Sequence, residues 1–241
     1  MDRGARNRNA SALVESLIAL TIFAVAVLAS LEFFGTARRA FFKLRDAESV
    51  QESGQAALDK MRADILLAGQ GLIEAMDMGI VAGIEVSGTD LAIRSLAKTA
   101  GLMADGVAGQ KTIRIADADG VSAGKEICLL NKTKGEAATI ASVAGLTLTL
   151  SAPLADNYPS GESRLLVLEK IAYSLDPSRT TIRRKINASS AQPLLEGVAS
   201  FVFGYTRAEN LARVSFAVSS GTQQTFSLSA FPKNIAMARR S

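Results

Sequence analysis

The sequence predicts an α+β fold: one long N-terminal helix, apolar first and amphipathic later, packed on a C-terminal antiparallel β-sheet domain. Three observations predict it. An apolar run extends from Ser11 to Phe34 behind a short basic leader. Apolar residues then recur at three-to-four spacing to about Ala68, with no proline before Pro153. From about Ile80 the pattern changes to short apolar stretches, several strictly alternating, separated by turn signals.

The leader comprises residues 1–10 and carries Arg3, Arg6 and Arg8. The run 11–34 is about 24 residues, roughly 36 Å as a helix, enough to cross the hydrocarbon core of a bilayer. Glu15 lies near its start. An ionised side chain costs roughly 2.5–3.5 kcal/mol at mid-membrane and less near the interface, so a counter-ion is expected. Cleavage between Ala10 and Ser11 would supply one, an α-ammonium a single helical turn from Glu15. The same stretch also fits a secretory signal peptide cut after Val27-Leu28-Ala29, leaving Ser30 first, or an uncleaved anchor. Charge does not orient the span, because Arg38, Arg39, Lys43 and Arg45 follow it as the leader arginines precede it.

Beyond the run, Phe41, Phe42, Leu44, Val50, Leu58, Met61, Ile65 and Leu66 keep the helical period. Gly35 and Gly54 are the weak points, each costing about 1 kcal/mol against Ala and able to permit a bend. Gly69 and Gly71 signal the stop. The helix is therefore assigned to 11–68 and the globular domain to 69–241. Strands are expected at 84–86, 91–93, 111–116, 127–131, 138–143, 146–150, 165–175 and 181–186. Alternation at Phe201, Phe203 and Tyr205, at Val214, Phe216 and Val218, and at Phe226, Leu228 and Ala230 marks three more.

Composition removes whole classes of function. The 241 residues leave room for the helix and one ordinary domain. The net charge of +4 comes from scattered residues and aromatics are only 5%, so no nucleic-acid footprint is present. Histidine is absent, which excludes His-based triads, bases and metal ligands. Cys128 is alone, sits in an apolar run and is expected to be a buried, inert thiol. With no convincing acidic pair either, the chain is expected to be non-catalytic and to use no cofactor or metal.

The segment NASALVESLIALTIF resembles the N-terminus of type IV prepilins and type II secretion pseudopilins. That family has a short basic leader, a cut after a small residue, a glutamate five residues into the mature chain and one long hydrophobic helix. Counted from Ser11, Glu15 takes the glutamate's place. Ala10 stands where the family usually has Gly, and Ser11 where it usually has Phe. The stretch QESGQAALDKMRADILLAGQG, and QPLLEGVASFVFGY ahead of two closing strands, are similar to minor pilins of the PilW type. Minor pseudopilins of the GspJ type share the layout. The resemblance implies a pilin-like fold and a non-catalytic subunit, cleaved by a prepilin peptidase at Ala10–Ser11, N-methylated at Ser11 and paired in the assembly through Glu15. It further implies other pilins, the inner-membrane assembly platform and membrane lipid as partners. The chain would sit as a single pass in a bacterial inner membrane, domain outside, until it enters a pilus or pseudopilus. A PilW-type subunit would prime or cap the pilus. An exported, membrane-anchored binding or adhesion module is the alternative from another class.

Other motifs read as architecture. Asp117, Asp119, Gly120 and Glu126 partly imitate a calcium loop, but Ile115 holds its first ligand place and strands flank it, so an acidic hairpin turn is expected. Gly109-Gln110-Lys111-Thr112 lacks the glycine and lysine places of a phosphate loop. Asn131 and Asn187 fall in glycosylation sequons, which matter only on a eukaryotic secretory route. Arg183, Arg184 and Lys185 form a short basic run, expected on a solvated strand or turn.

Overall fold

The structure is a computed structural model. It describes the backbone of residues 3–220 and 222–238 and the side chains of residues 14–219 and 223–238. Two compact units are present, Met1–Val50 and Gln51–Ser241. A single helix, α1 (Arg3–Leu66), supplies the first and begins the second. It passes Gly35 and Gly54 without a break.

In the first unit the described side chains of the apolar run, residues 14–34, are exposed. Val14, Leu17, Ile18, Leu20, Ile22, Phe23, Leu28, Phe33 and Phe34 are all exposed. Two hydroxyls of the run, those of Thr21 and Ser30, are satisfied within the helix. Thr21 Oγ1 donates to the Leu17 carbonyl at 2.7 Å and Ser30 Oγ to the Ala26 carbonyl at 2.8 Å, which lets both sit in apolar surroundings.

In the second unit, α1 buries one stripe of Ala57, Leu58, Met61, Asp64 and Ile65, at helical spacing. Gly54 lies on the same stripe. A Cβ there would come within 2.3 Å of the Phe226 ring, so the glycine is a packing requirement and not the point of bending that the sequence allows for. The helix stops where expected: Gly69 and Gly71 have φ of 75° and 72°, a conformation that L side chains rarely adopt. Asn234 Nδ2, from the short C-terminal helix α3 (Lys233–Ala238), donates to the carbonyls of Leu66 and Ala68 at 3.2 and 3.4 Å and satisfies the helix end.

A short helix, α2 (Ile73–Asp77), leads into the strands. These are β1 (Ile84–Ser87), β2 (Asp90–Gly101), β3 (Thr112–Arg114), β4 (Glu126–Leu130), β5 (Gly135–Ala144), β6 (Thr147–Leu150), β7 (Arg164–Asp176), β8 (Thr181–Ile186), β9 (Gln192–Leu195), β10 (Val198–Thr206), β11 (Leu211–Ser220) and β12 (Thr222–Ala230). Every pairing among them is antiparallel. The α+β layout read from the sequence is the layout observed. The sequence reading lacks α2, α3 and β9.

The large sheet runs β1-β2-β7-β4-β5-β6-β3, with β8 and β9 continuing from β7. It also shuts on itself. The end of β2 returns to the end of β3 through the antiparallel bridge Leu102↔Ile115, flanked by Met103 N–H to the Arg114 carbonyl at 2.8 Å and Ala116 N–H to the Gly101 carbonyl at 2.9 Å. Strands β2, β7, β4, β5, β6 and β3 thus form a small closed barrel. Alternate residues point inward, as a barrel demands: Ile113 and Ile115, Ile127 and Leu129, Leu148 and Leu150, Leu165 and Val167. Leu154 and Tyr158 belong to the same core. On the outer face of β4 and β7, Cys128, Leu130, Leu166 and Leu168 are covered by Leu72 and by Ala75 of α2. Both faces of β4 are therefore dry, which explains its unbroken apolar run Ile127–Leu130. The second sheet, β10-β11-β12, stacks Phe216 on Phe226 with ring centroids 5.2 Å apart.

Candidate functional site

The chemistry expected of this chain lies in α1. Ala10 and Ser11 fall in the helical backbone, but their side chains lie outside the described residues. Glu15 is exposed and pairs with no described residue. It projects from a helix that is long and apolar enough to cross a membrane, and none of its most apolar window is buried against the protein. Glu32 is a second carboxylate of the run, close to its far end. The exposed surface is of one kind over many turns, and a contiguous apolar patch of that size marks a membrane or partner interface.

A second cluster joins the C-terminal part of α1 to the large sheet. Asp64 is 2% exposed, on the apolar stripe between Met61 and Ile65. The Tyr173 hydroxyl of β7 donates to Asp64 Oδ2 at 2.5 Å, and Arg184 Nε of β8 donates to the same oxygen at 2.7 Å. Lys60 Nζ lies 3.5 Å from Oδ1. Burial first, and then the Asp64 carboxylate, push the Tyr173 phenol well above its usual range, so it stays a donor. Burial disfavours the Arg184 cation, yet its hydrogen bonds to Asp64 and Tyr173 outweigh burial and raise its pKa. Arg184 therefore turns inward, a correction to the solvated run expected at 183–185. Arg183 faces Asp176, with Nε 3.2 Å from Oδ2. The signal for this cluster was in the sequence: a carboxylate on the buried stripe of a helix requires a partner from elsewhere.

A third cluster centres on Glu126, at the start of β4. Arg94 Nε donates to Oε2 at 2.6 Å and Lys170 Nζ to Oε1 at 2.7 Å, while Arg94 also reaches Glu85 at 2.8 Å. Burial raises the carboxyl pKa, but the two cationic donors more than offset it and hold Glu126 below its ordinary value. Both Glu126 oxygens are thus engaged by cations of β2 and β7. Asp117 accepts from Lys98 Nζ at 2.5 Å and from the Asp119 N–H at 2.8 Å, closing an Asx turn. The calcium-like residues do not converge on one point. Cys128 is fully buried, and burial followed by the nearby Glu126 charge pushes its thiol up to about 12. The charged groups of both internal clusters are met by their own partners and hold the fold together, whereas the described apolar side chains of the first turns of α1 are exposed.

No protein-family model and no curated protein matches this chain. Among solved structures, the Gp54 tailspike of Acinetobacter baumannii bacteriophage AP22, in complex with A. baumannii capsular saccharide, is similar at 24% identity and a TM-score of 0.27. The likeness covers 32% of this chain and 15% of the tailspike.

Proposed function

We propose that this chain is a non-catalytic subunit of a type IV pilin-like filament, anchored by α1 in the inner membrane before assembly and held in the filament by the same helix afterwards. The observation that carries the reading is Glu15, a carboxylate that pairs with no described residue on the exposed apolar turns of α1, placed where cleavage after Ala10 would set a new ammonium beside it. Leaving lipid for a bundle of similar helices changes the apolar surroundings little, so bulk burial adds little to assembly. Packing and polar pairing must then select the register. An ammonium–carboxylate contact is strong where water is excluded, and the positive end of the helix dipole favours the carboxylate there. The resemblance of Gln192–Tyr205 favours a minor pilin of the PilW type, a low-copy subunit that primes or caps the pilus with other minor pilins.

Two measurements test this. N-terminal sequencing of the protein from membranes should return Ser11 as the first residue; Ser30 would indicate a secreted module and Met1 a plain anchor. Glu15→Val should be inserted and processed normally but should recover partner pilins poorly, several-fold below the unmodified chain. Unchanged partner recovery and unchanged pilus number would refute the pairing.

A further inference from the structure

The turns of α1 just past the apolar run carry a pattern that filament packing does not account for. Between Gly35 and Arg45 there are four cations, Arg38, Arg39, Lys43 and Arg45, and no carboxylate. Phe34, Arg38, Phe41, Phe42 and Arg45 fall at the i, i+4, i+7, i+8 and i+11 places and so share one face of the helix. All five are exposed. The Arg38 guanidinium lies over the Phe42 ring, 5.5 Å from its centroid. Glu48 is one turn past Arg45 and does not pair with it. The apolar side chains from Val14 to Phe34 span about 31 Å as helix, against about 30 Å of hydrocarbon. Residues 35–45 consequently emerge at the level of the headgroups.

From this placement we propose that the Phe34–Arg45 face is a binding surface for anionic phospholipid headgroups in the leaflet from which the domain emerges. It rests on the membrane-span part of the reading above and adds a partner of defined charge. The phenylalanines enter the acyl boundary, and the arginines meet the phosphates. Attraction to an anionic surface fades within a Debye length, about 8–10 Å at moderate salt. That range covers Arg38 and Arg39 at the interface and weakens toward Arg45. The commitment to lipid over a neighbouring subunit follows from charge complementarity: an uninterrupted block of cations meets a continuous anionic surface without needing a partner acid at each place. Release of this contact would accompany extraction of the subunit into a filament.

The test uses the full-length chain in vesicles made of equal parts phosphatidylcholine and phosphatidylglycerol, with either lipid spin-labelled in turn. The unmodified chain should immobilise the phosphatidylglycerol probe in preference to the phosphatidylcholine probe, and added salt should reduce the preference. R38Q/R45Q should lose selectivity by up to about fivefold per arginine. R38K/R45K, which keeps the charges, should retain most of it. Both variants lie on an exposed face, and circular dichroism checks that the helix persists. Equal immobilisation of the two probes by the unmodified chain overturns the proposal. So does a preference that survives R38Q/R45Q, or a variant that loses chain-to-chain crosslinking while its lipid selectivity is intact. Failure of the chain to float with the vesicles after alkaline washing is a different result: it removes the membrane span itself and the proposal with it.

Discussion

Asp64 shows how much a single buried charge can decide. Its carboxylate is almost sealed from water and accepts from two strands at once. Removing one member of such a cluster leaves the others desolvated without compensation, which is more damaging than the net worth of the pair. Asp64→Asn should therefore destabilise the domain by about 3 kcal/mol. Tyr173→Phe, which removes one donor to a charged acceptor, should cost about 2 kcal/mol. Denaturant titration of the full chain in detergent measures both, and an Asp64→Asn midpoint equal to the unmodified protein's would show that the cluster holds nothing. The helix stripe made Asp64 legible as a problem, because a carboxylate between Met61 and Ile65 cannot be an ordinary surface residue. Its solution was not legible. Arg184 lies more than a hundred residues further on, inside a run of three basic residues any of which could have served. Only the register of β7 against β8, which sets Tyr173 opposite Arg184, selects it.

At the scale of elements, the two glycines of α1 have opposite meanings. A Cβ on Gly35 would meet nothing within 4 Å, whereas one on Gly54 would enter the space of Phe226. Phe226 is itself buried and stacked on Phe216, so its ring has little freedom to move away. Gly54→Leu should overpack the junction by about 2–3 kcal/mol. Combining it with Phe226→Ala should recover part of that loss. Gly35→Ala should instead raise helix stability by about 1 kcal/mol. Thermal unfolding followed by circular dichroism separates these outcomes, and a Gly54→Leu protein as stable as the parent would refute the packing role. Helix propensity treats both positions alike, and for that reason the sequence could not distinguish them. Strands fared better, because alternation reports the face that each residue takes: Leu148 and Leu150, and Phe216 and Val218, are buried as their spacing implies. β9 left no such trace. It is short, contains Pro193, and pairs with β8 across a register shift. The helix α2 spans only five residues, too few for a period to show.

Over the whole molecule, the second unit is built around a ring that no local pattern announces. Sequence alternation implies antiparallel neighbours but not that β2 and β3, five places apart in the sheet order, should meet. The Leu102↔Ile115 bridge makes the difference between a curved sheet and a barrel. Cys128 reports on this architecture because it lies on the outer wall beneath α2, with its thiol held protonated by burial. In the folded protein, iodoacetamide at mildly alkaline pH should leave it unmodified, and labelling should appear only over the denaturant range in which the domain unfolds. Rapid alkylation of the native protein would show that α2 does not cover that wall. The proposed Glu15 pairing and the proposed lipid face of α1 belong to a different scale again, since both call for molecules other than this chain.

Closure of the ring carries one more consequence, for survival at high local concentration. A row of unsatisfied amides along a sheet margin is a template on which another polypeptide can crystallise into an aggregate. In the barrel each strand has a neighbour on both sides, so its most apolar members, β4 and β7, present no such margin to copies crowded alongside. In the assembly proposed above, neighbouring barrels therefore offer one another no such template, and the open margins lie outside the ring, at β1, β9, β10 and β12.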